Sequence, residues 1–148
     1  MRASVGCVMR NSRGEWIRGA AGMIGLVVPL GAELWSMFYG LKLAWEKGDT
    51  KHVVVECESQ EALNAVSDPD PEFWLADLVD LIKKLESEAW ESCRIEHVSV
   101  AGNKASTTLA NSQLDGEGGI MELADAPTFM ASVLAADLES MHSLKIVS

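Results

Sequence analysis

Basic residues are scarce in this 148-residue chain: 12 lysines and arginines face 22 aspartates and glutamates, a net charge of −10. That argues against a broad basic stripe, the usual footprint of a phosphate-binding protein. The deficit is uneven. Residues 1–112 and residues 113–148 each carry about half of it, although the second stretch is only a quarter of the length. Cysteine is also sparse. Cys7, Cys57 and Cys93 lie far apart with no C-x-x-C pair, which argues against a disulfide scaffold or a zinc knuckle and for reduced thiols. No apolar run approaches the ~20 residues of a membrane span. The longest, Gly19–Leu30, is interrupted by glycines and Pro29. No signal-peptide core opens the chain. Arg2, Arg10 and Arg13 with Ser4 and Ser12 have the composition of a transit peptide, but read better as a strand and turn. The expectation is an intracellular protein, cytoplasmic or nuclear, with no membrane partner.

What is present is a globular composition, 48% apolar, in a length that suits one domain with its own core. Val5, Cys7 and Met9 alternate with small residues and predict a strand over Ala3–Met9. Asn11–Gly14 is a turn by composition, and Glu15–Met23 the returning strand. After a loop over Gly25–Gly31, Leu34, Met37, Phe38, Leu41 and Trp45 recur at helical spacing and predict a helix over Ala32–Lys47, ended by Gly48. Lys51–Cys57 is rich in β-branched residues, as in a buried strand. Ser59 is placed to cap a short helix over Gln60–Val66. Asp68-Pro-Asp-Pro71 breaks the chain, and a helix is expected over Glu72–Glu88 with Leu75, Leu78, Leu81, Ile82 and Leu85 inward. A strand over Cys93–Val100 and a short helix over Lys104–Asn111 follow. The order of strands and helices predicts an α/β fold. The acidic tail, 113–148, reads as a glycine-containing linker followed by a helix from Pro127 to about Met141.

Three segments carry chemistry. Gly31–Trp35 (G-A-E-L-W) places Glu33 at the opening of a helix. Val55-Glu56-Cys57-Glu58-Ser59 places two carboxylates at the end of a buried strand. Asn103–Ala110 (N-K-A-S-T-T-L-A) forms a third pattern. Taken singly, Glu33 could serve only the helix dipole, and Glu56 and Glu58 could be solvated strand-end charges. Taken together, in this order and spacing, the segments resemble a ribonuclease H type 1 domain. The version is the reverse-transcriptase-like one common in plant genomes, beside or derived from retrotransposons. The resemblance spans about residues 3–112. Ala32, Glu33, Gly40, Leu41 and Ala44 meet the family's A-E-x-x-A-[LI]-x-x-G-L-x-x-A pattern. It implies a ribonuclease H-like fold, with a mixed central sheet and helices on both faces.

The resemblance also implies cleavage of RNA in RNA–DNA hybrids, or at least nucleic-acid binding. In such enzymes two Mg²⁺ ions about 4 Å apart activate water and stabilise the leaving oxygen. The family supplies four carboxylates to hold them. Glu33 stands at one position. Glu58 stands where V-E-x-D-S has its aspartate, and its extra methylene moves the carboxylate by roughly 1.5 Å, a displacement that can cost about a hundredfold in rate. Thr107 stands where N-x-x-A-D-x-L-A has another aspartate. The Asp-Gly-Ser turn of the family's first strand has no counterpart, so the chain starts at what resembles the second strand and reads as N-terminally truncated. Glu33 and Glu58 are thus the candidate catalytic and metal-holding residues, with Thr107 a degenerate position and Mg²⁺ binding weakened. The expected function is a ribonuclease H-like domain with impaired catalysis. A non-catalytic relic or protein-interaction domain is the alternative, and an unrelated α/β adaptor stays open.

Other candidates point elsewhere. His52, His97 and His142 show no metal spacing, and His97 reads as a structural or partly exposed strand residue. Trp35, Trp45, Trp74 and Trp90 read as core packing rather than base-stacking platforms, and Lys83–Lys84 as a solvated face. A sheet edge left open by the missing strand predicts self-association.

Overall fold

The computed structural model describes residues 2–26, 29–99, 104, 108–109 and 119–140. The chain opens with a hairpin of β1 (Arg2–Arg10) and β2 (Trp16–Leu26). Asn11 builds the turn: its side-chain oxygen accepts from the Arg13 and Glu15 amides at 2.9 and 3.0 Å. Gly14 supplies a φ of 80° that a residue with a Cβ adopts poorly. The side chains of the hairpin alternate between two faces. Cys7 and Ala20 point to one, Val8 and Ala21 to the other.

Helix α1 spans Pro29–Lys47, three residues longer at its start than the sequence pattern predicts. Pro29 explains the difference, since the first helical position needs no N–H and proline's fixed φ suits it. Gly48, at φ +85°, ends the helix and donates to the Trp45 carbonyl at 3.1 Å. Strand β3 (His52–Cys57) follows, then α2 (Gln60–Ser67), whose Ser59 cap accepts from the Ala62 amide at 3.1 Å as expected.

The next helix is shorter than the apolar spacing predicts: α3 spans Ala76–Glu86. Asp70 holds residues 70–76 in turns instead, accepting from the Glu72 amide on its side chain and from the Phe73 amide on its carbonyl. Strand β4 (Ser92–His97) pairs in parallel with β3, Cys57 opposite His97. Lys104, Thr108 and Leu109 are helical.

One element was not expected. Gly119–Leu123, within the acidic tail, is a strand, β5, paired antiparallel with β2. A 3₁₀ turn (Thr128–Met130) and helix α4 (Ala131–Ser140) complete the described chain. The tail does not hang free: Met130 is fully buried against Ala21 and Leu109, with Val133 and Leu134 beside them.

The strands have the mixed directions that the resemblance implies, but they fall into two hydrogen-bonded groups, β1–β2–β5 and β3–β4. Helix α1 ties these groups together. Leu34, Met37, Leu41 and Ala44 pack with Val53 and Cys57 of β3 and with α2 and α3, whereas Leu43 packs on Cys7 and Ala20 of the hairpin. The opposite face of the hairpin is covered by Leu109, Met130 and α4, so helices lie on both faces. The result is the α/β ribonuclease H-like architecture. Among the described residues no helix is long and apolar enough to cross a membrane.

Not every expected core residue is inside. Trp35 and Trp90 pack against the core, but Trp45 is 39% and Trp74 62% exposed. Leu81 is 43% exposed, because α3 turns Leu78, Val79 and Ile82 inward instead.

Candidate active site

Glu33 is the fifth residue of α1, not a member of its first turn. Its carboxylate is therefore past the region where a helix dipole is felt most, and capping does not explain it. The end of β3 comes to meet it. Cys57, the last strand residue, is buried beneath α1 and donates its thiol toward Glu33 Oε2 at 3.9 Å and the Ser59 carbonyl at 3.4 Å. Glu58 follows as the chain leaves the strand, before the Ser59 cap fixes the start of α2. The conformation of this corner is set by ordinary local chemistry: a buried strand ends, and a serine cap begins a helix.

The Glu58 charge bears on the Glu33 carboxyl. Burial pushes the Glu33 carboxyl above its ordinary range, and the Glu58 charge pushes it further, while the Cys57 thiol partly offsets both. Cys57 itself is pushed up to about 11 by burial, opposed by its Ser59 contact and reinforced by the two carboxylates. Glu58 Oε2 is buried and has no hydrogen-bond partner among the described residues. A buried carboxylate oxygen without a donor is costly, and beside a second carboxylate more so. A cation with oxygen preference relieves both problems at once.

The donor set is small. Among the described residues no group of three or more histidines, cysteines, aspartates or glutamates is placed to hold a metal ion. Two carboxylates, Glu33 and Glu58, are oxygen donors of the type a divalent ion takes, but do not make a two-ion site alone. Thr107, the degenerate position, lies outside the described residues. Glu56 is a partly buried β3 residue, opposite Glu96 in the parallel register.

One neighbour was missed by the sequence reading. His97 Nε2 stands 3.2 Å from the Glu58 carbonyl oxygen, and the Val98 amide donates to the Cys57 carbonyl at 2.9 Å. These bonds pin the strand end that presents Glu58. Only the parallel pairing of Cys57 with His97 puts them there, and nothing in the local sequence announces it.

Comparison with known proteins agrees with this fold. Residues 1–113 match the reverse transcriptase-like family. Over 139 residues the chain is 33% identical to an Arabidopsis thaliana protein named as a candidate ribonuclease H protein, a match that takes in 91% of this chain and 22% of the relative. The chain thus spans less than a quarter of the length of that relative. Among solved structures, ribonuclease H1 of the halophilic archaeon Halobacterium salinarum superposes with a TM-score of 0.69 at 22% identity, over 78% of this chain and 87% of that one. The N-terminal ribonuclease H domain of a Mycobacterium tuberculosis protein gives 0.58 at 20% identity, over 78% and 92%. At such identities the two structures establish the fold alone. With its family match covering three quarters of its length and its strands and helices arranged as in ribonuclease H1, the chain belongs to the reverse transcriptase-like family of ribonuclease H-like domains.

Proposed function

We propose that this is a nucleic-acid-binding ribonuclease H domain that engages RNA–DNA hybrids and cleaves them poorly, if a divalent ion is supplied. The observation that carries the reading is the buried, unpartnered Glu58 Oε2 beside a Glu33 carboxyl that burial and its neighbour destabilise. Carboxylates held in this way favour a cation between them. Glu33 and Glu58 are the residues that would hold Mg²⁺ or Mn²⁺, which would supply Lewis acidity and an activated water for in-line attack on a phosphodiester. The Cys57 thiol orients Glu33, and the His97 and Val98 contacts fix the backbone that presents Glu58.

Impairment follows from the residues. Glu58 is longer than aspartate, Thr107 offers a neutral hydroxyl where the family pattern has an acid, and the net charge of −10 opposes approach to a polyanion. The same charge favours the second reading, a domain with no nuclease activity that has become a protein-interaction module.

Two measurements separate these readings. Mn²⁺ titration, followed by electron paramagnetic resonance or by thermal shift, should show one weak site that is lost in Glu33→Gln. Cleavage of a labelled hybrid in Mg²⁺ or Mn²⁺ should be slow, absent in Glu33→Ala and at least about tenfold faster in Thr107→Asp. Ion binding untouched by Glu33→Gln would sink the metal assignment, and no cleavage even in Thr107→Asp would leave the interaction-module reading.

A further inference from the structure

His52 opens β3 and Ser92 opens β4, and the parallel register sets them opposite each other. Ser92 Oγ stands 2.8 Å from His52 Nδ1, and His52 Nε2 stands 3.0 Å from Glu91 Oε2. A carboxylate only accepts, so in the neutral ring Glu91 holds the proton on Nε2 and leaves Nδ1 bare. The Ser92 hydroxyl then donates to a base that a third group orients, which is the relation an activated serine needs. Lys51 stands at the edge of the group, its Nζ 3.7 Å from Glu91 Oε1, so the carboxylate divides its two oxygens between a cation and the ring. The backbone beneath is held on both sides. The Glu91 and Ser92 amides donate to the Lys51 carbonyl at 2.8 and 3.1 Å. The Trp90 indole donates to the Leu85 carbonyl at 2.7 Å, and its ring meets Trp45 edge-on. The side chains stay open to solvent: His52 is 48% and Glu91 58% exposed, and Ser92 is exposed with them.

The surroundings limit the chemistry. Because the Glu91 and Ser92 amides are spent on the Lys51 carbonyl, neither is free to receive an oxyanion. Attack on an ordinary ester or amide needs such donors most, and attack on a donor with a good leaving group needs them least. We propose that Ser92 is a self-acylation site, which takes an acyl group from an activated donor of the thioester or aryl-ester class. Ser92 Oγ bonds to the acyl carbon while His52 Nδ1 takes the hydroxyl proton, and the Glu91 charge meets the imidazolium so formed. The bond from the acyl carbon to the leaving sulfur or oxygen then breaks, and the leaving thiolate or phenolate receives the proton from His52. The products are a serine ester and a free thiol or phenol, with no oxidant or reductant consumed. The same lack of oxyanion donors slows hydrolysis of the ester, so the acyl group stays on the chain. The trio lies at the start of β3, roughly 16 Å along the strand from the Cys57 end that meets Glu33. Its failure would therefore leave the hybrid reading untouched.

The test treats the full chain with p-nitrophenyl acetate, and separately with an acetyl thioester, and locates the acetyl group by peptide mass spectrometry. Alkaline hydroxylamine separates serine esters from lysine amides. An ester at Ser92 is expected, and none at Ser87, whose hydroxyl is committed to the Lys84 carbonyl at 2.9 Å with no base beside it. His52→Asn keeps a side chain that can hydrogen-bond Ser92 but removes the base, and should slow labelling of Ser92 at least about tenfold. Glu91→Gln keeps an acceptor for Nε2–H but not the charge, and should slow it several-fold. Both variants replace exposed side chains and should melt as the wild type does. Three results would overturn the proposal: hydroxylamine-stable label on Lys51 with none on Ser92, equal labelling of Ser87 and Ser92, or labelling of Ser92 in His52→Asn at the wild-type rate.

Discussion

At the scale of single residues the site is a balance between burial and charge. Glu33 is partly buried beside Glu58, and its proton is retained more tightly in the folded chain than in the unfolded one. The sign of the consequence follows directly. A carboxyl with a raised folded pKa destabilises the fold at pH values above that pKa, and the penalty disappears as pH falls to the ordinary value of 4.5 and below. Without metal, Glu33→Gln should therefore melt higher than wild type near neutral pH, and the two curves should converge below pH 4.5. With saturating Mn²⁺ the order should reverse, because only the wild type has the anion to gain from the ion. Melting temperatures across a pH series, with and without Mn²⁺, check both halves. A pH-independent difference would mean that packing, not charge, governs the position. Sequence alone named Glu33 and Glu58 as candidates, through the family pattern around them. It did not reveal that Cys57 sits with Glu33 or that His97 braces Glu58, because both contacts join residues brought together only by α1 and the parallel pairing of β4.

At the scale of elements, the order of strands and helices was readable wherever the signal was local. The hairpin turn, the Gly48 stop and the Ser59 cap each follow from one or two residues with a conformational preference. Boundaries shifted where a neighbour outweighed the apolar spacing: Pro29 lengthened α1, and Asp70 shortened α3. The tail strand β5 was unreadable because its partner lies about a hundred residues away and glycines precede it. Its attachment has one vulnerable point. A Cβ at Gly19 would stand 2.4 Å from the Trp16 ring and 3.1 Å from the Cys7 carbonyl oxygen. Trp16 in turn donates from Nε1 to the Ala124 carbonyl at 3.1 Å, just after β5. Gly19→Ala should thus push the indole off its seat, loosen the tail and cost about 1–3 kcal/mol, as overpacking does. Urea denaturation would register the loss as a lower midpoint. A wild-type midpoint would show that the indole moves aside freely.

At the scale of the whole molecule, two features oppose each other. Among the described residues, edges β1 and β3 carry no hydrogen-bonded neighbour on their inner sides, and β1 has no charge between Arg2 and Arg10. Such an edge invites pairing with another chain, while a net charge of −10 keeps copies apart. The balance should tip with salt. Sedimentation velocity is expected to show monomer at low ionic strength and concentration-dependent association as screening shortens the reach of the charges. Monomer at every concentration and salt would mean that the edges are protected by their own packing.

The pairing of β5 with β2 also bears on how the molecule assembles in time. Hairpin β1–β2 closes over a turn of a few residues and can form within microseconds. The β2–β5 ladder joins Gly19 to Leu123, so its loop is the entire middle of the protein. Closing a loop of that length costs roughly 4 kcal/mol of chain entropy before any ladder bond is made. The third strand therefore waits until α1, β3 and β4 have gathered the chain and shortened the effective distance. On a ribosome it is also the last of the described strands to emerge, and until it arrives the growing chain presents β2 without this partner.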